Sequence, residues 1–192
     1  MINKVKILDT NKLFFSSDHH FGHKNIIKFQ NRPFKDVQEQ DNELVRLWNE
    51  TVPPDGIVIY QGDFALKLKS EKLKWILESL NYEKMYLIIG NHEKDILKKY
   101  WAKKYFEIIS QRIEFYIQDG NKMNVIVADH FPLLSWNRKY HGSYHTYGHV
   151  HNNDFIHPEK RTYNVCIDVN NYRPISYDDL MLKMNKNDNV RV

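Results

Sequence analysis

The sequence predicts a mixed α/β domain whose second half is richer in strands than its first half. Four short apolar runs each lead into a polar segment, as buried strands do where they end in loops. Amphipathic segments of helical period separate the first three runs, and a length of 192 residues suits one compact domain. We therefore expect one domain over residues 1–192, with two packed sheets and helices outside them.

The four apolar runs are predicted to be buried strands that deliver polar side chains at their carboxyl ends. They span residues 13–17, 56–60, 85–89 and 124–128, and each is followed within a few residues by aspartate, asparagine or histidine. In open α/β sheets, the loops at the carboxyl ends of the strands converge on one crevice, where ligands bind. The polar side chains after these strands are therefore expected to meet.

Helices are predicted between these strands and at the end of the chain. Residues 37–50 and 70–80 carry leucines and aromatic residues at helical spacing, which indicates a side that faces the core. A third helix is expected over residues 92–102, which would place the His92 backbone near a helix amino end that favours phosphate. The segment 176–179 (Ser-Tyr-Asp-Asp) is typical of a capping box before a short last helix.

The second half is expected to contain a hairpin and further strands. Residues 112–118 and 122–128 flank an Asp-Gly pair at positions 119–120, which favours a tight turn. More strand-like runs cover residues 143–150 and 161–169.

The composition excludes several classes of protein. With a net charge of +4, the chain tolerates an anionic substrate without requiring nucleic acid, and it has no nucleic-acid-binding motif. No run of about 18 apolar residues exists to span a membrane, and residues 1–12 lack the features of a signal peptide. The one cysteine, Cys166, cannot form an internal disulfide. We therefore expect a cytoplasmic protein in which Cys166 is a buried, unreactive thiol.

Five short motifs carry candidate metal ligands. They are Asp18-x-His20, Gly62-Asp63, Gly90-Asn91-His92-Glu93, His130, and Gly148-His149-x-His151. Imidazoles, carboxylates and an amide are ligands that divalent manganese, iron, zinc, nickel and cobalt accept. Closed structural zinc sites instead favour cysteines, and these motifs contain none. The ligand set is therefore typical of a catalytic metal site.

In this order, the motifs resemble the signature of the calcineurin-like metallophosphoesterase superfamily, and the resemblance extends from about Leu13 to Pro174. It implies a four-layer αββα sandwich, in which helices flank two mixed β-sheets and a dinuclear metal site lies at the carboxyl edge of the strands. It also implies two divalent ions as cofactors, with manganese among the candidates. Two ions about 3.5–4 Å apart acidify a bridging water and clamp the phosphate ester that this water or hydroxide attacks.

The resemblance assigns seven ligands to the two ions. One ion is held by Asp18, His20, Asp63 and His151, and the other by Asp63, Asn91, His130 and His149. Asp63 is therefore the expected bridge, since a carboxylate can give one oxygen to each ion. Residues two apart on an extended segment project to the same side, which would aim both members of each x-spaced pair at the ions. His19 then faces the other way and is expected not to be a ligand.

The resemblance also assigns residues to the substrate. His92 is expected to hydrogen-bond the phosphate and, when protonated, to help the leaving group depart, with Asn91 beside it at the substrate. The stretch of residues 21–34 is similar to a loop near the active site of small bacterial and phage phosphoesterases. His23 or Arg32 in this stretch is expected either to contact the phosphate or its substituent, or to have a structural role.

Neighbouring polar residues have supporting or surface roles in this interpretation. Glu93 is expected to orient a ligand histidine or His92 rather than to bind metal. Asp129 is expected to do likewise or to be exposed. The polar, aromatic loop of residues 136–142 is a candidate for lining the pocket. His141, His145 and His157 lack ligand spacing and are expected to be surface or loop residues.

Three functions remain open from the sequence. The first is a two-metal phosphodiesterase, and the second is a phosphomonoesterase or a nuclease that uses the same site. The third is a non-catalytic metal-binding interaction module. The expected partner is a phosphate-ester substrate, for which nucleotides and nucleic acid are candidates, and no membrane. Either a monomer or a homodimer is compatible with the residues.

Overall fold

Two mixed β-sheets form the centre of the fold. The computed structural model describes residues 3–151, 155 and 157–188, without the side chains of residues 95 and 186–188. The first sheet has the order β10-β2-β3-β4-β5, and its strands are β2 (Leu13–Ser16), β3 (Ile57–Tyr60), β4 (Lys84–Ile88), β5 (Ile108–Ser110) and β10 (Ile175–Ser176). Strands β2 to β5 are parallel, and β10 pairs antiparallel with β2.

The second sheet has the order β1-β6-β7-β8-β9. Its strands are β1 (Asn3–Ile7), β6 (Arg112–Asp119), β7 (Lys122–Asp129), β8 (Tyr144–Tyr147) and β9 (Thr162–Asn164). Only the β6–β7 pair is antiparallel, and its two-residue turn begins at Gly120 with a φ of 56°. The predicted hairpin is confirmed.

Helices flank the sheets as predicted. They are α1 (Lys24–Phe29), α2 (Val37–Thr51), α3 (Ser70–Ser79), α4 (Lys94–Lys98) and α5 (Tyr177–Asp188). Leucines and Trp48 of α2 and α3 pack on one face of the first sheet, against Val58 and Leu87. The other face of that sheet, with Phe15 and Ile59, packs against Phe115 of the second sheet. Two cores therefore hold the layers together, and the predicted architecture of two mixed sheets with flanking helices is confirmed.

The last helix packs across the edges of both sheets. It contacts β2, β9 and β10, and it buries Leu180 and Met184 in the core between the sheets. The backbone N–H of Asp179 donates to Oγ of Ser176 at 3.2 Å, which confirms the predicted cap. Among the described residues, no helix combines the length and the apolarity that crossing a bilayer requires.

The helix predicted over residues 92–102 is wrong. The chain instead forms the five-residue helix α4 and a 3₁₀ helix, Tyr100–Tyr105, with extended backbone at Lys99 between them. His92 lies in a turn before α4, because the Glu93 side chain bonds back to the backbone of Gly90 and Asp63. The expected anion site at a helix amino end beside His92 is therefore wrong.

The strand predicted over residues 161–169 is shorter than expected. Strand β9 ends at Asn164, and Cys166 forms a single bridge to Ser17 before a 3₁₀ helix, Ile167–Val169. Cys166 is fully buried, and burial raises the pKa of its thiol well above the ordinary value. The thiol is therefore protonated and unreactive, as expected.

Candidate metal centre

Loops at the carboxyl ends of five strands deliver the seven predicted ligands. Asp18 and His20 follow β2, Asp63 follows β3, Asn91 follows β4, His130 follows β7, and His149 and His151 follow β8. Strands β2, β3 and β4 are parallel neighbours, as are β7 and β8. Their carboxyl ends therefore lie at the same edge of each sheet, and the loops of the two sheets meet there.

Five of the seven ligand candidates have left-handed backbone conformations. Their φ angles are 60° for Asp18, 52° for His20, 58° for Asp63, 69° for His149 and 48° for His151. Non-glycine residues rarely adopt this conformation, and such strain costs on the order of 1–3 kcal/mol per residue and is frequent at functional sites. The expectation that an extended strand aims each pair is therefore corrected: loop backbone with positive φ at both members of a pair aims these side chains.

One group of potential ligands surrounds Asp18. Ligand atoms of Asp18, His20 and Asp63 all lie within 4.8 Å of one another. Nε2 of His151 is 3.9 Å from Oδ1 of Asp18, and its ring stacks on the His20 ring with 5.2 Å between centroids. These four side chains are the set predicted for the first ion.

A second group shares Asp63 with the first. Ligand atoms of Asp63, His130 and His149 lie within 4.8 Å of one another, and Oδ1 of Asn91 is 3.0 Å from Nε2 of His130. Oδ2 of Asp63 is 3.6 Å from Nε2 of His20 in one group and 3.6 Å from Nε2 of His130 in the other. The structure thus places Asp63 between the two predicted ligand sets.

The chemistry of these side chains fits divalent cations. Both ring nitrogens of His20 are buried without a hydrogen-bond partner in the described chain, and burial keeps the pKa of His20 far below its ordinary value. Burial and the neighbouring His130 lower the pKa of His149 as well. Burial, together with the nearby Asp18 carboxylate, raises the pKa of Asp63. Neutral imidazoles and crowded carboxylates are the groups that a divalent cation stabilises.

Two glycines of the motifs allow this close approach. A Cβ atom on Gly90 would lie 2.3 Å from Oδ1 of Asp63, and one on Gly148 would lie 2.3 Å from Oδ2 of Asp18. Any side chain at either position would therefore displace a carboxylate that belongs to another motif. The glycines of the sequence pattern are required by packing between the motifs.

Backbone amides hold both carboxylates in place. The N–H of His92 donates to Oδ1 of Asp63 at 2.8 Å, and the N–H of His149 donates to the carboxylate of Asp18 at 3.0 Å. Each of these bonds joins loops from distant parts of the sequence. Backbone groups of distant loops therefore help to hold both carboxylates in position.

Glu93 is a buried clamp between two loops. Its carboxylate accepts the N–H groups of Asp63 and Gly90, both at 2.7 Å, and of Phe64 at 2.9 Å. Burial raises the pKa of Glu93 to about 7 despite these hydrogen bonds. The prediction that Glu93 does not bind metal directly stays untested, but its expected role in orienting a histidine is corrected, because it orients backbone.

Asp168 contacts the ligand candidate His151. The sequence did not predict this role. Oδ2 of Asp168 is 2.6 Å from Nδ1 of His151, and both oxygens also accept hydrogen bonds from Arg32. Burial would raise the pKa of Asp168, but the bonds from His151 and Arg32 hold it well below its ordinary value. The one available signal was an aspartate inside the apolar run of residues 164–169.

The prediction that Arg32 contacts substrate is not supported. Its guanidinium is buried and donates to Asp168, to the carbonyls of Asp18 and His19, and to Oε1 of Gln40. These bonds use the nitrogens that a phosphate would need. Arg32 instead ties the loop that carries Asp18 to Asp168.

His23 and His92 lie together beside the first ligand group. The ring of His92 is 5.4 Å from that of His20 and 6.4 Å from that of His23. Both side chains are half-buried, so they are open to a ligand. His19 faces the opposite way, as expected, and packs in the core against Phe21 and Tyr60.

Other histidines and the loop of residues 136–142 lie away from the ligand groups. His145 is fully buried on β8, so its expected surface position is wrong. Its ring and that of His157 pack around Trp136. The loop lines a cavity together with Pro158 and Arg161, and that cavity contains none of the predicted ligands. A different cavity adjoins the centre at Asn91.

Comparison with known proteins identifies the family to which this chain is similar. The profile of the calcineurin-like phosphoesterases matches residues 12–190. The chain is 35% identical over 186 residues to the uncharacterized protein MJ1445 of Methanocaldococcus jannaschii, covering 94% of this chain and 95% of the relative. It is 27% identical to the gene 66 protein of Mycobacterium phage L5, covering 81% of this chain and 86% of that protein.

A solved structure has the same fold. The crystal structure of AQ665, a protein of unknown function from Aquifex aeolicus, superposes with a TM-score of 0.67 and 24% identity, covering 89% of this chain and 98% of that one. The groups of potential metal ligands at the strand ends and the profile match over residues 12–190 indicate the same family. This chain therefore belongs to the calcineurin-like phosphoesterases, a family of hydrolases that act on phosphoester bonds.

Proposed function

We propose that the protein is a phosphodiesterase that uses two divalent ions. The position of Asp63 carries this proposal, because one of its oxygens is 3.6 Å from an imidazole nitrogen in each ligand group. Asp18, His20 and His151 would hold one ion with Asp63, and Asn91, His130 and His149 would complete the other. Two such ions supply a nucleophile by lowering the pKa of a water molecule, and they neutralise the phosphate oxygens.

His92 is the group that we assign to the leaving oxygen. Asp63 fixes the His92 backbone through a 2.8 Å hydrogen bond, and the His92 ring lies beside His20 and His23 at the edge of the first ligand group. A protonated imidazole at this place donates its proton to the alkoxide as the P–O bond breaks. We also assign His23 to the same phosphate, because its ring lies beside those of His20 and His92.

Two features favour a diester over a monoester. Phe29 is 69% exposed next to the His23 ring, and Phe131 is 42% exposed next to the His149 ring, so an apolar contact is available on each side of the centre. A diester has two substituents that would use both contacts. A monoester also carries more negative charge than a diester. The Arg32 guanidinium is not free to neutralise this charge, because it is bound to Asp168.

The test is hydrolysis of two substrates with the same leaving group. Protein stripped with a chelator is re-supplied with manganese, zinc, nickel or magnesium, and bis-p-nitrophenyl phosphate is compared with p-nitrophenyl phosphate. We expect metal-dependent hydrolysis that favours the diester. Hydrolysis of the monoester alone would identify a phosphomonoesterase, and inactivity with every metal would refute an enzymatic role.

Asp63→Asn is the matching variant, because asparagine keeps the size of the side chain but removes its charge. We expect fewer than two bound ions per chain and loss of activity. Asp55→Asn serves as the control, since Asp55 is exposed and pairs only with Lys12 among the described residues. Full activity of Asp63→Asn with two bound ions would contradict the bridge.

A further inference from the structure

A cavity of about 560 Å³ opens beside the second ligand group. Asn91 belongs both to this group and to the cavity wall, so a molecule in the cavity is in contact with the centre. The wall combines an aromatic ring, Phe131, with the polar side chains of Ser110, Gln111 and Arg112. None of these four residues has a role in metal binding or proton transfer as proposed above.

The aromatic ring in this wall is fixed against the metal ligands. The Phe131 ring packs edgewise on His149 with 4.6 Å between centroids, and on His130 with 4.9 Å. Its N–H donates to Oδ1 of Asp129 at 3.0 Å, and 42% of the residue is exposed. A partly exposed ring that is held in place by its neighbours is suited to stacking on a planar group of a ligand.

The same aspartate orients a cation in the wall. Nε and Nη2 of Arg112 both contact Oδ2 of Asp129 at 2.8 Å, and Asp129 is 6% exposed. The described chain offers no partner to Nη1 of Arg112, whose side chain is 37% exposed. One oxygen of Asp129 thus binds the backbone of Phe131, and the other binds the guanidinium of Arg112. The remaining donor of Arg112 and the Phe131 ring are therefore both held in position in the cavity wall.

The cavity lies at the opposite end of the centre from the proposed leaving group. His92 is next to His20 of the first group and to His23, whereas Phe131 is next to His130 and His149 of the second. In hydrolysis of a diester, the oxygen of water bonds to phosphorus, the leaving alcohol departs with a proton, and the other ester bond stays intact. The group near Phe131 is therefore the one that stays on the phosphate.

We propose that this cavity binds the retained substituent of the phosphodiester, and that this substituent is a nucleoside, whose planar base stacks on Phe131 while Arg112 donates to an acceptor on the base or sugar. The proposal rests on the phosphodiesterase function. A nucleoside fits because it offers both a planar ring and hydrogen-bond acceptors, and the wall offers one contact for each.

The test keeps the leaving group constant and changes the retained group. The substrates are the p-nitrophenyl diesters of methyl phosphate, phenyl phosphate and thymidine 5′-phosphate. In the wild-type protein, kcat/KM is expected to rise from methyl to phenyl to thymidine. Phe131→Leu is expected to lower kcat/KM for the phenyl and thymidine esters relative to the methyl ester by roughly 5- to 100-fold, the range of base–aromatic stacking.

Further variants separate the two contacts. Phe131→Tyr should keep the preference, because it keeps the ring. Arg112→Met should reduce the thymidine preference over phenyl by roughly tenfold, as loss of a charged donor does. Leu134→Ala is the matched control, since Leu134 is 68% exposed in the loop that carries Phe131 and does not line the cavity.

Equilibrium binding gives a readout without turnover. Calorimetry on the metal-loaded protein should show tighter binding of thymidine 5′-phosphate than of methyl phosphate, and Phe131→Leu should reduce the difference. Equal wild-type rates on the three esters would overturn the subsite while leaving the phosphodiesterase function intact. An equal loss on all three esters in Phe131→Leu would also overturn it, since the residue would then act on the centre itself. Inactivity of the wild type on every ester would instead refute the phosphodiesterase function.

Discussion

Nδ1 of His151 lies 2.6 Å from Oδ2 of Asp168, in a hydrogen bond that fixes which nitrogen of the ring is protonated. The proton on Nδ1 leaves the lone pair on Nε2, and Nε2 is the atom near Asp18, 3.9 Å from Oδ1. Carboxylates that orient a metal-binding histidine in this way are a regular part of metal sites. Asp168 therefore orients His151 so that Nε2 is the nitrogen available to a metal ion.

Asp168→Asn should lower metal affinity. The asparagine can still accept one hydrogen bond, but it no longer raises the basicity of the imidazole, and such changes typically cost about 10- to 100-fold in affinity. The measurement is titration with a chelator competitor at a temperature where circular dichroism shows the variant folded. Asp178→Asn, an exposed aspartate at the start of α5, is the control. Unchanged affinity in folded Asp168→Asn would mean that Asp168 does not tune His151 as a metal ligand.

Arg32→Met should destabilise the fold rather than weaken substrate binding. Neither side chain of the Arg32–Asp168 pair is exposed, so the variant leaves a carboxylate buried without its cation. Removing one partner of a buried ion pair costs about 3–5 kcal/mol. Urea unfolding measures this loss.

Arg46→Met is the matched control for this prediction. The Arg46 side chain is 51% exposed and pairs with Glu43 and Glu50 on the surface of α2. Exposed pairs contribute about 0–1 kcal/mol, so the control should remain within that range. A stable Arg32→Met with a raised KM would restore the rejected substrate role for Arg32.

The Arg32–Asp168 pair is an example of a contact that the sequence alone does not predict. Arg32 and Asp168 are 136 residues apart, and nothing in either local pattern indicates that they pair. The ligand candidates were predictable because each belongs to a short motif next to an apolar strand. Residues that support a site from a distant segment have no such local signature, since only the tertiary fold brings them together.

The prediction of a helix over residues 92–102 is wrong for the same reason, namely contacts with a distant segment of the chain. Its local sequence favours a helix, but Glu93 forms three hydrogen bonds with backbone groups near the site, and two of these groups lie about 30 residues earlier. Those contacts fix a turn where propensity predicts helix. Strand β1 was missed for a related reason, because it forms by pairing with β6, far along the chain.

Stability should decrease in acid because of His145. Nδ1 of His145 donates to the carbonyl of Val127 at 2.9 Å, and Nε2 accepts the N–H of Leu133 at 3.0 Å, so the ring must be neutral. Burial lowers its pKa from 6.5 to about 4. The unfolded chain then binds the proton more tightly, and the stabilisation that is present above pH 6.5 is lost as pH falls toward 4.

The loss from this one group is about 3 kcal/mol at most, from roughly 1.4 kcal/mol per pKa unit. Urea unfolding at intervals of pH measures it, and the comparison with His145→Gln isolates it from other groups. The glutamine can make similar hydrogen bonds but does not titrate, so its pH profile should be flatter over this window. His141→Gln, at an exposed position, should keep the wild-type profile. Identical profiles for wild type and His145→Gln would show that His145 is not held neutral.

The role of His92 can be separated from metal binding by varying the leaving group. His92→Ala should keep its metal content, because Asp63 contacts the backbone of His92 and not its ring. Turnover of esters with poor leaving groups should fall by roughly 10²–10⁴, the usual contribution of a general acid. For p-nitrophenol, whose anion departs without a proton, the loss should be much smaller. His23→Ala is the matched comparison, since its ring lies 6.4 Å from that of His92. A loss in His92→Ala that is the same for all leaving groups would mean that His92 binds the phosphate, and the proton must then come from another donor.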